Sequence, residues 1–137
     1  MKIVRGQLNK EIFKNIYNSI PGWESPSLNQ VEIALSNSLE TFLVYDEDIP
    51  VGMARLIGDK GMSFYIKDFA ILPKYQSKGI GKLIESDIEK YILENIEPSW
   101  KVSLELISSK EAVSFYKRLG FEERPSSEDG PGMFKMI

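Results

Sequence analysis

Apolar residues recur along this chain with two different periods. Ile12, Phe13, Ile16, Tyr17 and Ile20 share one helical face, with Asn9 placed to cap it and Pro21-Gly22 to end it. Ser27-Leu28-Asn29-Gln30 has the capping-box form, and Leu28, Val31, Ala34 and Leu35 continue a second helix on one side. The period then shortens. Thr41 to Tyr45, Pro50 to Ile57 and Phe64 to Leu72 read as strands, separated by the acidic turn Asp46-Glu47-Asp48 and the hairpin turn Gly58-Asp59-Lys60-Gly61. They predict an antiparallel meander, with Ile3 to Arg5 as an edge strand.

Pro73 stops the third strand of the meander, because proline has no N–H for a ladder. Gln76-Ser77-Lys78-Gly79-Ile80-Gly81 follows as a short loop. Lys82 onward reads as a helix with Leu83, Ile84, Ile88, Tyr91 and Ile92 at near-helical spacing. Trp100 to Ile107 alternates as a strand, with Val102, Leu104 and Leu106 on one side. Ser109 is placed to cap a helix over Lys110 to Leu119, and Gly120 suits the left-handed position beyond it. Phe121 to Arg124 and Met133 to Ile137 read as a final hairpin, with a free edge suited to a homodimer. Its connection, Pro125 to Gly132, has a turn composition and is expected to be mobile.

The element order predicts an α+β (mixed α/β) fold in a single domain, 1–137. Helices cover a largely antiparallel sheet. The strand pair flanking the Lys82 helix is expected to be parallel, with a right-handed crossover.

Composition narrows the chemistry. The net charge of −3 argues against a general nucleic-acid binder. There is no cysteine, so an acyl-cysteine intermediate, a disulfide and a thiolate metal site are excluded. There is no histidine either, which removes the commonest general base and the commonest metal ligand. No metal site is expected. Proton transfer must use a carboxylate, tyrosine, lysine, an end group or water. The opening MKIVRGQLNK lacks a signal-peptide core, and no apolar run is long enough for a membrane span, so a cytoplasmic location without a membrane partner is expected.

The Gln76–Lys82 junction carries the strongest chemical signal. Glycines 79 and 81 let backbone approach a ligand. The first N–H groups of the following helix have no intrahelical acceptor, and the helix dipole adds positive charge there. Together they make an anion site of the kind that takes phosphate, reinforced by Lys78 and Lys82. The loop is not a Walker A motif, and Ile84 stands where G-x-G-x-x-G needs its third glycine.

Gln76-x-x-Gly79-x-Gly81, preceded by Ile71-Leu72-Pro73-x-Tyr75, resembles the acetyl-coenzyme A loop of the GNAT superfamily of N-acetyltransferases. Ala112 to Phe121 resembles the same family's C-terminal helix, in the expected order and at about the expected separation. The resemblance implies a splayed pair of parallel strands with the cosubstrate, acetyl-coenzyme A, between them. It implies that Phe69, Ala70 and Ile71 bind the pantetheine arm through main-chain groups, as an added strand would. It implies that Gln76, Ser77, Lys78, Gly79, Ile80, Gly81 and Lys82 hold the pyrophosphate, and that the N–H near Ile71 polarises the thioester. Tyr116 matches the family's general-acid tyrosine. Neighbouring Phe115 is the better core candidate, which leaves Tyr116 for the cleft.

Two positions depart from the family pattern. Ser109 replaces a frequent asparagine ahead of the helix, so any amide contact to the cofactor there is lost or shortened. Tyr65 occupies the strand position where some members carry a glutamate base. Asp68, Glu105 and water remain as candidate bases. The implied activity is transfer of acetyl to a primary amine of a small molecule or peptide. A non-catalytic acyl-coenzyme A sensor is the alternative. A nucleotide-binding domain of another fold is disfavoured, because such folds open with β-α units.

Overall fold

The computed structural model describes residues 1–137, which group into two units, Met1–Glu105 and Leu106–Ile137. In the first, five strands lie in chain order across one sheet: β1 (Lys2–Arg5), β2 (Glu40–Asp46), β3 (Ile49–Gly58), β4 (Ser63–Ile71) and β5 (Ser103–Glu105). The first three pairings are antiparallel and β4–β5 is parallel. The mixed α/β character expected from the element order is therefore present.

Two short helices, α1 (Lys10–Asn18) and α2 (Leu28–Ser36), begin as their capping residues dictate. The Asn9 side chain accepts from Ile12 N–H at 2.8 Å, and Ser27 and Gln30 complete a reciprocal capping box. Their apolar faces bury Phe13, Ile16 and Val31 against Leu43, Met53 and Ala70 of the sheet. Trp23 packs on this core, tilted against Tyr17 at 4.8 Å, and so acts as a lid over α1.

Adjacent strand residues point to opposite faces. Phe42 accordingly faces the other side, where its ring meets Tyr91 of helix α3 (Ile80–Asn95) edge-on at 6.1 Å. Ile80, Ile84 and Ile88 complete the buried stripe of α3. Arg5 ties β1 to this helix through Asp87 at 2.8 Å and Glu94 at 2.9 Å. Its guanidinium also stands 5.5 Å from the Tyr91 ring centroid, a cation–π distance. Asp59 closes the β3–β4 turn by accepting from the N–H groups of Gly61, Met62 and Ser63, which pull its carboxyl down to about 2.

Strand β5 is shorter than the alternation over Trp100 to Ile107 predicts. Its ladder pairs Ser63–Ser103, Phe64–Leu104 and Tyr65–Glu105 and stops there, while β4 runs on to Ile71. The pair therefore parts beyond Tyr65, which is the splay implied by the family resemblance.

The second unit holds a 3-10 turn (Lys110–Ala112) and helix α4 (Val113–Arg118). Ser109 precedes the turn without a side-chain cap bond; its carbonyl accepts from Ala112 N–H at 3.2 Å and from the Ser108 hydroxyl at 2.7 Å. The expected side-chain cap at Ser109 is thus absent. Gly120 takes φ 97, as a left-handed terminator should. The final hairpin does not form. Phe121 closes the helix instead: its N–H bonds the Tyr116 carbonyl at 3.1 Å and its ring packs on Tyr116 at 5.7 Å. That use removes the first residue of the expected strand, and Met133, Phe134, Met136 and Ile137 are exposed. The segment expected to be a mobile connection contains a local turn, in which Ser126 N–H donates to the Asp129 carbonyl at 2.9 Å.

Candidate functional site

The site grows out of the end of β4. Leu72 N–H donates to the Val51 carbonyl at 2.9 Å, toward β3. Amide direction alternates along a strand, so the Ile71 N–H and carbonyl point the opposite way, to the edge that β5 has left. The Ile71 carbonyl is taken by the Gln76 side chain, whose Nε2 donates to it at 3.1 Å. Gln76 thus straps the loop to the strand end, and its own N–H closes a 3-10 turn onto the Pro73 carbonyl at 3.2 Å. Both roles differ from the direct ligand contact that the sequence suggested for Gln76. Phe69 and Ala70 precede Ile71 on the same strand; Ala70 is buried in the α1–α2 core.

Beyond Gln76 the backbone curls twice into the left-handed region, at Ser77 (φ 61) and Gly79 (φ 84). Such turns gather successive N–H groups into a concave nest for an anion. The first helical bond runs from Leu83 N–H to the Gly79 carbonyl at 3.1 Å, so the N–H groups of Ile80, Gly81 and Lys82 lie ahead of it. The helix starts two residues earlier than the Lys82 start read from the pattern, because Gly79 rather than Gly81 is its N-cap. Ser77, Lys78, Gly79 and Lys82 are exposed, while Ile80 and Gly81 are buried under the nest. The donor set fits a diphosphate, and the open β4 edge beside it fits an extended amide-bearing arm. Acetyl-coenzyme A has both parts.

Tyr75 sits at the centre of a charged group. The Lys74 and Lys78 ammonium groups lie 5.4 and 5.2 Å from its ring centroid. Desolvation raises its phenol above the ordinary value, with Asp46 as hydrogen-bond partner and the Glu47 charge adding to the effect. The turn Asp46-Glu47-Asp48 is therefore a neighbour of the loop, which spacing along the chain did not reveal. Gly52, where a Cβ would stand 3.0 Å from Ile80 Cγ2 at the start of α3, was also missed. An isolated glycine inside a strand is the available signal, since it often marks a close approach.

Asp68 is engaged by Arg55, whose Nε donates to its carboxylate, and Arg55 also donates to the Ser38 hydroxyl at 3.4 Å. A bulge in β4 places Asp68 at φ 53, so the simple parity count from Tyr65 does not extend to it. Burial, with the Asp68 charge adding, raises the Tyr17 phenol. Glu105 pairs across from Tyr65, and its charge adds to the burial that raises the Tyr65 phenol.

In the second unit, Tyr116 is the buried member of its pair and Phe115 is half-buried, the reverse of the sequence expectation. The rings of Phe115 and Phe121 stand 5.1 and 5.7 Å from it. Helix α4 is short, and its start as a 3-10 turn rotates the faces relative to one regular helix over Lys110 to Leu119. Burial pushes the Tyr116 phenol up to about 12, so it is protonated at neutral pH.

Known proteins resemble this chain in sequence and fold. An uncharacterized N-acetyltransferase ycf52 from Pyropia yezoensis is 32% identical over 113 residues, covering 80% of this chain and 63% of that protein, so the chain spans a little under two thirds of its length. A crystal structure from meticillin-resistant Staphylococcus aureus has a TM-score of 0.85 at 32% identity, over 99% of this chain and 98% of that one. A GNAT-family acetyltransferase from Streptococcus pneumoniae has a TM-score of 0.77 at 31% identity, covering 99% and 97% of the two chains. The family model for the GNAT acetyltransferase domain matches residues 22–136. With a splayed parallel pair, a loop of amides and this match over most of its length, the chain belongs to the GNAT acetyltransferase family.

Proposed function

We propose that this chain moves an acetyl group from acetyl-coenzyme A to a primary amine of a small molecule or peptide, directly, in a ternary complex. The amine nitrogen attacks the thioester carbonyl, a C–N bond forms, the C–S bond breaks, and the thiolate leaves with a proton. Backbone N–H groups from Ser77 to Lys82 hold the pyrophosphate, with Lys78 and Lys82 adding charge. The Ile71 N–H stabilises the oxyanion that develops on the carbonyl. Tyr116, protonated at neutral pH, donates to the departing sulfur. No cysteine is available for an acyl-enzyme. A water, or one of the carboxylates Asp68 and Glu105, accepts the ammonium proton.

One observation supports this reading above the others: the nest at Ser77 and Gly79 opens beside a β4 edge that has no strand on it past Tyr65. The test is release of free thiol from acetyl-coenzyme A across a panel of amines, with initial rates at varied concentrations of both substrates. Intersecting double-reciprocal lines are expected. Parallel lines, or an isolable acetyl-protein, would overturn direct transfer. A non-catalytic acyl-coenzyme A sensor is the second reading, favoured by the pairing of Asp68. Coenzyme A binding without thiol release under any amine would select it.

A further inference from the structure

Strand β4 carries one residue more than the β3 segment opposite it. Met53 pairs with Ala70 and Arg55 with Lys67, so Asp68 and Phe69 together face Ala54. This is a two-on-one bulge. Asp68 takes its left-handed position at φ 53, a place that glycine ordinarily fills because a Cβ is disfavoured there. Arg55 holds it. The guanidinium Nε bonds the Asp68 carboxylate, a second nitrogen reaches the Ser38 hydroxyl at 3.4 Å, and the pair's side chains are only 15% and 16% exposed.

The bulge sets the phase of the strand beyond it. Side chains and amides alternate by one residue, so one extra residue exchanges the two edges. Before the bulge, Tyr65 pairs with Ile57 on one side and Glu105 on the other. After it, Leu72 N–H bonds β3, which leaves the Ile71 N–H at the open edge. Without the bulge one of these registers must slip, and the amide at the open edge would turn toward β3.

We propose that Arg55 is a positioning residue: by pinning Asp68 it holds the β4 bulge and so aims the Ile71 N–H at the reacting carbonyl. The inference rests on the acetyl-transfer reading above. In this account the Asp68 carboxylate is a partner for Arg55 and not the base.

Glycine at position 68 provides the test, because it adopts the left-handed conformation without a pin. Arg55→Met leaves Asp68 in a disfavoured conformation with no partner. It should lower kcat by about tenfold or more, as small misplacements at a reacting centre do, while coenzyme A affinity, set by the loop, changes far less. Arg55→Met/Asp68→Gly should recover most of that turnover. If Arg55→Met does not fold, Arg55→Lys replaces it; it keeps the charge but loses the Nε donor, and should lose turnover that Asp68→Gly again restores. No loss of kcat in the Arg55 variants, no rescue by glycine, or an equal loss of coenzyme A affinity would overturn the proposal. Amide NMR without ligand separates its failure from that of the acetyl-transfer reading. The Ile71 resonance and the HN–Hα coupling of residue 68 should move in Arg55→Met and return toward wild type in the double variant; unmoved signals sink the pin. Wild-type protein that binds no coenzyme A sinks the acetyl-transfer reading instead.

Discussion

Gly52 faces Ile80 across the β3–α3 interface, closely enough that a side chain there would crowd it. A Cβ on Gly52 would stand 3.0 Å from Ile80 Cγ2 and 3.3 Å from Ile84 Cδ1. Ile80 is the first residue of α3 and follows the nest directly. Gly52→Ala should therefore push back the start of the helix whose first amides are proposed to hold the pyrophosphate. Overpacking of this kind costs about 1–3 kcal/mol. A lower melting temperature together with weaker coenzyme A binding is expected. Isothermal titration beside thermal unfolding checks it; unchanged affinity would show that the helix start absorbs the methyl group.

Gly79 makes a contrasting case. Nothing lies within 4 Å of a Cβ built on it, but its φ is 84. Gly79→Ala thus adds no clash and only backbone strain, about 1–2 kcal/mol. Gly79→Asn should cost less, because asparagine tolerates the left-handed region. Coenzyme A affinity should fall in the order Gly, Asn, Ala. A titration series on the three proteins reads it directly.

Glu85 on α3 is 4% exposed and its Oε1 has no hydrogen-bond partner. Desolvation, with Glu89 adding, raises its carboxyl from 4.5 to about 7. The folded state therefore holds this proton more tightly than the unfolded chain does. The favourable contribution is complete below about pH 4.5, falls as the pH rises, and is gone above about pH 7, where the burial penalty is full. Glu85→Gln should remove this part of the pH dependence. Glu85→Leu should stabilise the protein above neutral pH by on the order of 1–3 kcal/mol, the cost of an unsatisfied buried polar group. Urea unfolding of wild type and variants from pH 4.5 to pH 8 measures the difference. A gap that does not widen with pH would refute the assignment.

The buried phenol of Tyr116 stays protonated until about pH 12. Tyr116→Phe keeps the ring packing on Phe115 and Phe121 and removes only the donor. Turnover should fall by about a hundredfold, within the range of general-acid contributions, with a much smaller change in the affinity for acetyl-coenzyme A. Steady-state kinetics and direct titration separate the two effects. Equal turnover in both proteins would remove Tyr116 from the reaction.

Local rules determined much of this molecule. Asn9 and the Ser27–Gln30 box start helices because capping is a bond between residues a few positions apart. Gly120 ends α4 for an equally local reason. The meander, the parallel pair and the glycine loop ahead of α3 were legible because hydrophobic period and glycine spacing report local backbone conformation. Where two local rules competed, the expected one could lose. Phe121 reads as strand but packs on Tyr116, and the cap expected of Ser109 gives way to a 3-10 turn. The bulge at Asp68 and Phe69 exists only relative to β3, so no count along β4 alone reveals it. Arg55 and Asp68 lie 13 residues apart, and Gly52 meets Ile80 from another element. Pairing across the sheet and the fit of α3 against it brought these together, because register and close approach are properties of two segments and are written in neither one.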